Sequence, residues 1–188
     1  MRSPDNHTLP ESDIIEGCLK GDRRMQERLY ERYAPKMYGV CLRYAGNAED
    51  AQDILQDGFV KVFRHLERFR SEGSFEGWMR RIFVNTAIEQ YRKKVILQKV
   101  DEHQEERMED TNWNVLDKLA AKDILNALQE LSPGYRTVFN LFVVEGYSHK
   151  DIASMMGISE GTSKSQLARA KGILQQMLKE NRFNTPKS

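Results

Sequence analysis

The chain has 188 residues, of which 30% are charged and 39% hydrophobic, with a formal net charge of +1. This balance predicts a soluble globular protein of one domain or two small ones, and any surface for nucleic acid must come from the placement of charges. No run approaches the ~18 apolar residues of a membrane span, and the polar start, residues 1–13, lacks the apolar run of a secretion signal. We therefore expect a cytoplasmic protein with no direct membrane insertion.

The cysteines and histidines indicate neither a disulfide framework nor a metal site. Cys18 and Cys41 lie in apolar helical patterns with no repeated spacing, which favours free thiols in a reducing compartment. The four histidines are scattered and lack metal-ligand spacing. The sequence also has no phosphate-cradling glycine loop and no nucleophile elbow. We predict no catalytic residue, no metal, no cofactor and no small-molecule substrate.

Apolar residues recur at spacings of three and four almost throughout, and strand signals are scarce, which predicts an all-α protein. We expect a disordered tail over 1–12, an N-terminal helical domain over 13–96, an acidic linker over 97–115, a C-terminal helix-turn-helix domain over 116–182 and a tail over 183–188. The predicted helices cover, in chain order, residues 13–20, 23–45, 48–68, 75–95, 117–130, 133–145, 148–156 and 160–181.

The segment EDAQDILQDGFVKVFRHL, residues 49–66, predicts an amphipathic helix. Its apolar stripe consists of Ala51, Ile54, Leu55, Val62 and Phe63. The opposite side carries four acidic or amide side chains, those of Asp50, Asp53, Gln56 and Asp57. A solvated acidic face is the commoner explanation of such a pattern on an ordinary helix, and a docking surface for a basic partner is the functional alternative. The segment by itself leaves both interpretations open.

The segment RFRSEGSFEGWMRRIFVNTAIEQYRKK, residues 68–94, interleaves aromatic with basic side chains around a polar loop, residues 71–74. Basic groups attract the phosphate backbone. Aromatic faces can stack unpaired bases at about 1–3 kcal/mol per base, and a polar pocket beside them could hold a base turned out of the stack. Helical spacing also favours a core role for Ile82 and Phe83, and more weakly for Trp78. Phe69, at the edge of the loop, fits either role.

Residues 100–114, VDEHQEERMEDTNWN, carry six acidic residues against one basic residue, Arg107. A run of like charge with little apolar material predicts a flexible, solvated segment between two domains. After it, Ser132 and Pro133 have the character of a helix cap and a first helical position.

Residues 146–171, GYSHKDIASMMGISEGTSKSQLARAK, have the features of a helix-turn-helix. Ser148 and Asp151 have the spacing of a capping box, Gly157 suits a left-handed helix end, and Ser159 suits the cap of a second helix. That second helix is polar and basic, and such a helix can lie in the DNA major groove. An ordinary helical hairpin with a solvated outer face is the alternative.

In this order the segments resemble the sigma factors of bacterial RNA polymerase, of the small extracytoplasmic-function (ECF) class. DAQDILQDGFVKVF is similar to the family's polymerase-docking helix, and FRSEGSFEGWMRRIFVNTAIEQYRKK is similar to its promoter-melting segment. LSPGYRTVFNLFVVEGYSHKDIASMMGISEGTSKSQLARAK is similar to its C-terminal domain. The resemblance extends over residues 15–180, nearly the whole chain.

The resemblance implies a promoter-specificity subunit that binds core RNA polymerase, recognises the minus-thirty-five and minus-ten promoter elements and helps to melt the DNA. It implies polymerase contacts, with the coiled coil of the largest subunit, for Asp53, Gln56 and Asp57. It assigns the minus-ten element to Phe69 and Asn85, around a flipped base, and to the phosphate-binding residues Arg80, Arg81, Arg92 and Lys93. It assigns the minus-thirty-five element to Thr162, Lys164, Ser165 and Arg169. An anti-sigma factor is an implied further partner.

Two positions depart from the family pattern. Ser163 stands where many members carry an apolar residue, and Ala168 stands where some carry a larger side chain that touches bases. Both leave the promoter sequence open.

Two other functions remain possible from the residues alone. A free-standing regulator explains residues 146–171 but neither the acidic face nor the arginine-aromatic segment, and no dedicated dimer helix is evident. An RNA-binding or nucleic-acid-processing protein could use the arginine-aromatic segment but lacks a catalytic cluster. Two weak readers tethered to one large enzyme gain affinity through effective concentration, which favours the sigma hypothesis.

Overall fold

The computed structural model of the chain describes residues 9–98 and 121–183, with side chains for 9–94 and 123–177. Within these ranges every regular element is helical, as predicted. The N-terminal helices are α1 Glu11–Leu19, α2 Arg23–Tyr44, α3 Ala48–His65, a 3₁₀ turn Leu66–Arg68, and α4 Phe75–Gln98. The C-terminal helices are α5 Ala121–Glu130, α6 Pro133–Phe139, a π-helical turn Asn140–Val144, α7 His149–Met156 and α8 Glu160–Phe183.

The helix boundaries follow the predicted ones closely, with one correction at the start of the chain. Helix α1 begins at Glu11, so residues 11 and 12, which were predicted to belong to the tail, are helical. Residues 1–8 of the predicted tail lie outside the described residues. Glu11 and Asp13 lie in the first turn, where carboxylates stabilise the positive end of the helix dipole. Nearly all of the predicted acidic linker and of the C-terminal tail lies outside the described residues.

Helices α1 to α4 share one apolar core. The inner stripe predicted for α3 is confirmed for Ala51, Ile54, Leu55 and Val62, which are buried, while Phe63 is half-buried at its edge. Aromatic rings fill the space between the helices: the ring centroids of Phe59 and Phe83 are 5.2 Å apart in an edge-to-face pair. Burying the apolar side of α3 in this way leaves its polar side free.

Gly58 allows α3 and α4 to approach closely. A methyl group at this position would lie 2.2 Å from Cε1 of the buried Phe83 ring. Gly58→Ala should therefore lower the free energy of unfolding by about 1–2 kcal/mol, because overpacking outweighs the gain of ~1 kcal/mol in helix propensity. Gly39→Ala in α2 is the matched control, since nothing lies within 4 Å of its added methyl group.

Thermal unfolding of both alanine variants tests this prediction. We expect the midpoint to fall by several degrees for Gly58→Ala and to rise for Gly39→Ala, since about 2–4 °C corresponds to 1 kcal/mol at this chain length. Equal, stabilising shifts in both variants would show that the Phe83 ring moves aside without cost.

Local signals in the sequence determine the ends of α7 and α8. The capping box is present: the Asp151 amide donates to Ser148 Oγ at 3.2 Å, and the Ser148 amide donates to Asp151 Oδ2 at 3.3 Å. Gly157 ends α7 in the left-handed region with φ +70°, and the Thr162 amide donates to Ser159 Oγ at 2.9 Å. At α6, Pro133 occupies the first turn as predicted, but the side chain of Ser132 makes no capping hydrogen bond.

The two sets of helices pack against each other. Helices α5 and α6 contact α2, and α6 and α7 contact α4. Buried polar side chains of α6 and the π-helical turn bond to the end of α2. No helix in the described ranges is long and apolar enough to cross a membrane.

Candidate polymerase and nucleic-acid interfaces

The polar side of α3 is an open surface. Asp53, Gln56 and Asp57 are all exposed and lie on one face, since residues three and four apart are neighbours on a helix. Asp57 Oδ2 accepts a hydrogen bond from Gln90 of α4 at 3.3 Å. Asp50 differs from them, because its carboxylate pairs with Lys94 of α4 at 2.7 Å. The three residues assigned to polymerase binding are thus accessible together, and Asp50 is tied to the neighbouring helix.

The loop before α4 holds Phe69 at the boundary between core and surface. Its half-buried ring lies edge-on to Phe75, with 5.0 Å between centroids, and 5.6 Å from Trp78. Phe75 is fully buried and stacks on the half-buried Trp78 at 5.5 Å. Ser71 and Gly73 have positive φ angles, which turn the chain between Phe69 and α4. A core role is therefore clear for Phe75, while Phe69 and Trp78 each keep part of their surface accessible.

Helix α4 presents most of the predicted minus-ten residues to solvent. Arg81, Asn85, Arg92 and Lys93 are exposed, and the first three share one face by helical periodicity. The Arg92 guanidinium donates to the carbonyl oxygen of Ser154, in α7, at 3.0 Å.

Arg80, like Arg92, does not lie free. Its Nε and Nη2 donate to the two carboxylate oxygens of Glu145, each at 2.8 Å. This pairing raises the pKa of Arg80. Arg80 and Arg92, two of the predicted phosphate ligands, are therefore both in contact with the C-terminal helices.

The exposed side of α8 carries the predicted minus-thirty-five residues. Lys164 and Ser165 are exposed, and Thr162 Oγ1 lies 2.8 Å from Ser159 Oγ. Arg169 is half-buried, and its Nη1 donates to the hydroxyl of Tyr135 at 3.2 Å. The four side chains thus lie along the first turns of one helix, which is the part of a recognition helix that reads base edges.

The side chain of Ser163 packs inside the helix-turn-helix. Ser163 is fully buried, and its Oγ lies 2.9 Å from Nδ1 of His149. The His149 ring stacks on Phe142 with 4.5 Å between centroids. Burial and the positive charge of Lys164 lower the pKa of His149, which favours the neutral ring beside this hydroxyl. An inward serine is tolerated here because its hydroxyl has a partner.

Polar residues that were not predicted from the sequence join the two sets of helices. Arg136 is 4% exposed, and it donates to the carbonyl oxygens of Tyr44 at 3.0 Å and Gln129 at 2.9 Å. Asn140 is fully buried and donates to the carbonyl oxygen of Arg43 at 2.7 Å. The last carbonyls of a helix lack partners within it, and a cation is favoured at that end. Arg136 and Asn140 therefore bind the free carbonyl groups at the C-terminus of α2. In the sequence, the only sign of this role is the presence of these two polar residues within the apolar run RTVFNLF.

The described residues contain no group of three histidine, cysteine or acidic side chains arranged for a metal ion. Cys18 and Cys41 are buried free thiols, and burial raises their pKa to about 11 and about 12 respectively. Neither thiol is therefore a reactive thiolate near neutral pH.

Comparison with known proteins gives two family matches in chain order. Residues 29–95 match Sigma-70 region 2, which includes α3 and most of α4, and residues 121–174 match Sigma-70 region 4, which includes the helix-turn-helix. The residues predicted to contact polymerase and the minus-ten element lie in the first match, and those predicted to contact the minus-thirty-five element lie in the second.

The similar curated proteins are also sigma factors of RNA polymerase. The ECF RNA polymerase sigma factor SigE of Mycolicibacterium smegmatis is 28% identical over 86% of this chain and 65% of that protein, so the chain spans just under two thirds of this relative. The RNA polymerase sigma-H factor of Pseudomonas aeruginosa is 28% identical over 89% of this chain and 93% of its own length. A solved structure of the Bartonella quintana sigma factor RpoE with the anti-sigma factor NepR aligns with a TM-score of 0.48 and 24% identity, over 81% of this chain and 96% of that one.

Proposed function

The chain belongs to the sigma factors of bacterial RNA polymerase, of the ECF class, and we propose from this premise how its surfaces carry out promoter recognition. It is a promoter-recognising subunit of the polymerase. It recognises two promoter elements through two separate helical surfaces while core polymerase holds both in place. The single observation that carries the proposal is the presence of an open acidic face, an arginine-aromatic surface and a basic recognition helix on three different helices of one chain.

The polar face of α3 is the proposed polymerase-docking surface. Asp53 and Asp57 offer two accessible carboxylates and Gln56 an amide, all on one face. Charges of this kind steer association with a basic partner and set its register more than they add raw affinity. The coiled coil of the polymerase's largest subunit is the proposed partner.

The Phe69 edge and the exposed side of α4 form the proposed minus-ten surface. Arg80, Arg81, Arg92 and Lys93 hold the phosphate backbone. Phe69 with Asn85 receives a base turned out of the stack. Capturing an unpaired base stabilises the open strand relative to the duplex, so binding shifts the DNA toward melting.

The first turns of α8 are the proposed minus-thirty-five reader. Lys164, Ser165 and Arg169 face the major groove, and Thr162 lies near the backbone. One such helix supplies only a few base contacts, each worth about 1–3 kcal/mol of discrimination. Attachment to polymerase therefore provides the affinity that the isolated reader lacks.

Bond formation belongs to the polymerase, and we propose that this chain catalyses no reaction of its own. The cytoplasm, where bacterial transcription takes place, is the proposed compartment. An anti-sigma factor remains a predicted further partner.

Binding to bacterial core RNA polymerase, followed by transcription from a pool of random promoters, tests the proposed function. We expect a stable complex and initiation at promoters that share two sequence elements. A chain that fails to bind core polymerase but binds specific DNA alone would instead be a free-standing regulator. The polymerase without the added chain is the control for background initiation.

A further inference from the structure

We propose that Arg43 and Arg80 form a binding site for a promoter phosphate, and that Glu145 occupies this site as an internal competitor while the two sets of helices are packed together. The inference rests on the proposed function, which assigns Arg80 to minus-ten DNA. It adds Arg43 as a phosphate ligand and Glu145 as a regulatory residue.

The geometry around Glu145 is that of an anion in a two-arginine site. Arg80 meets the carboxylate as a fork, with both of its hydrogen bonds at 2.8 Å. Arg43 approaches from α2, with its Nη2 3.9 Å from Oε1 of the same carboxylate. The side chain of Glu145 is only 10% exposed, against 28% for Arg43 and 37% for Arg80. A guanidinium fork suits a carboxylate and a phosphate equally well.

Glu145 does not provide hydrogen-bond acceptors for all the arginine N–H groups of the site. Nε and Nη2 of Arg43 are buried and have no hydrogen-bond partner among the described residues, and the same holds for the hydroxyl of Tyr44. Burial and the nearby charge of Arg80 lower the pKa of Arg43. Two guanidinium groups thus share one carboxylate. Most buried polar groups in proteins are hydrogen-bonded, and these unused donors are available to an anion that offers more acceptor oxygens, as a phosphodiester does.

The fold brings Glu145 to this site only when α6 is docked on α2. The Glu145 amide donates to the carbonyl oxygen of Asn140 at 3.0 Å, which fixes its backbone at the end of the π-helical turn. Asn140 in turn bonds to the carbonyl oxygen of Arg43, and Arg136 bonds to that of Tyr44, at the end of α2. Separation of the helices removes the competitor and leaves both arginines on the N-terminal helices.

The two DNA surfaces therefore differ in availability in the packed arrangement. Lys164 and Ser165 remain exposed, whereas Arg80 is engaged by Glu145 and Arg92 by the backbone of α7. A DNA phosphate and the Glu145 carboxylate compete for the same arginine fork. Minus-ten binding through Arg80 should therefore require the two sets of helices to separate.

Replacing Glu145 by glutamine tests the competitor directly. The probe is a fluorescent mixed-sequence single-stranded DNA, because phosphate contacts do not depend on sequence, and its binding to the full-length chain is measured by anisotropy over a range of salt concentrations. We expect Glu145→Gln to tighten binding about 3- to 10-fold, the range of one ordinary hydrogen bond. The slope of log K against log salt should steepen by about 0.7 for each additional phosphate that the variant binds.

Two variants serve as controls for this measurement. Glu130→Gln makes the same change in net charge at an exposed position of the C-terminal helices. It should leave the salt slope unchanged. Adding Arg43→Gln to Glu145→Gln should remove part of the increase in affinity. Equal affinities and slopes for the Glu145 and Glu130 variants would overturn the proposal.

The holoenzyme provides a second, independent readout. Arg43→Gln, in complex with core polymerase, should weaken promoter binding and lower the salt slope by the amount expected for about one phosphate. An unchanged slope would overturn the assignment of Arg43, even if Glu145→Gln proved too unstable to study. Failure of the parent chain to bind polymerase would instead contradict the proposed function, so the two failures are distinguishable.

Discussion

Replacing both Gln56 and Asp57 by lysine is expected to weaken binding to core RNA polymerase by about 100-fold or more, since like charges opposed across an interface cost several kcal/mol. Both side chains are exposed on the polar face of α3, and neither contributes to the apolar core. Asp57 reaches α4 through an exposed hydrogen bond from Gln90, whose loss should cost little. Helical content and the thermal midpoint should therefore stay close to those of the parent chain. Titration of labelled core polymerase measures the effect.

The control for this double variant is Asp123→Lys with Asn126→Lys in α5. This pair also replaces one exposed acid and one exposed amide, so the change in net charge is the same. Binding to the isolated coiled coil of the polymerase's largest subunit should fall for the α3 variant only. Parent-like affinity in a well-folded α3 variant would contradict the docking assignment, and equal losses in both variants would reduce the effect to net charge.

Arg169→Ala is expected to lower discrimination at the minus-thirty-five element by about 1–3 kcal/mol, or roughly 5- to 150-fold, if the guanidinium contacts a base. Arg169 is half-buried and lies on α8 with the exposed Lys164 and Ser165. Its guanidinium contacts the hydroxyl of Tyr135 on α6. Tyr135 holds the guanidinium at 3.2 Å, which limits the conformational freedom that would be lost on binding DNA. Initiation by reconstituted holoenzyme on promoters with single changes in the upstream element measures the loss.

Tyr135→Phe distinguishes direct base recognition by Arg169 from the positioning of Arg169 by Tyr135. It removes the hydroxyl that accepts from Arg169 and leaves the guanidinium in place. We expect this variant to keep most of the discrimination, while Arg169→Ala loses it at one position of the element. A uniform loss over all promoters in the Arg169 variant would indicate a phosphate contact, and an equal loss in the Tyr135 variant would indicate that Arg169 acts through the packing of α6 on α8.

The packing of the two sets of helices bears on both predictions. In the packed arrangement the polymerase-docking face and the first turns of α8 are accessible, while Arg80 is engaged by Glu145. The docking variant therefore tests a surface that is already open. The minus-ten surface is the one whose activity we expect to depend on a change in domain arrangement.

Local sequence predicted the helices and the helix-turn-helix because their signals act within one turn of chain. Ser148 and Asp151 close the capping box three residues apart, and Gly157 supplies the left-handed end of α7. The apolar stripe of α3 follows the helical period, so its burial and the exposure of Gln56 and Asp57 both follow from spacing. The family resemblance added the roles of these surfaces, and the two family matches together with the curated relatives confirm the class.

The amino-acid sequence alone thus specified the class of the protein, its helices and the faces that those helices leave open. Which side chains meet across the two sets of helices became evident only in three dimensions. Arg80 and Glu145 are far apart in the chain yet form a forked pair, and Arg136 lies in an apolar run yet completes the end of α2. Ser163 is accommodated by His149, fourteen residues earlier. Such pairings depend on how helices dock, and a spacing rule that acts over three or four residues carries no information about them.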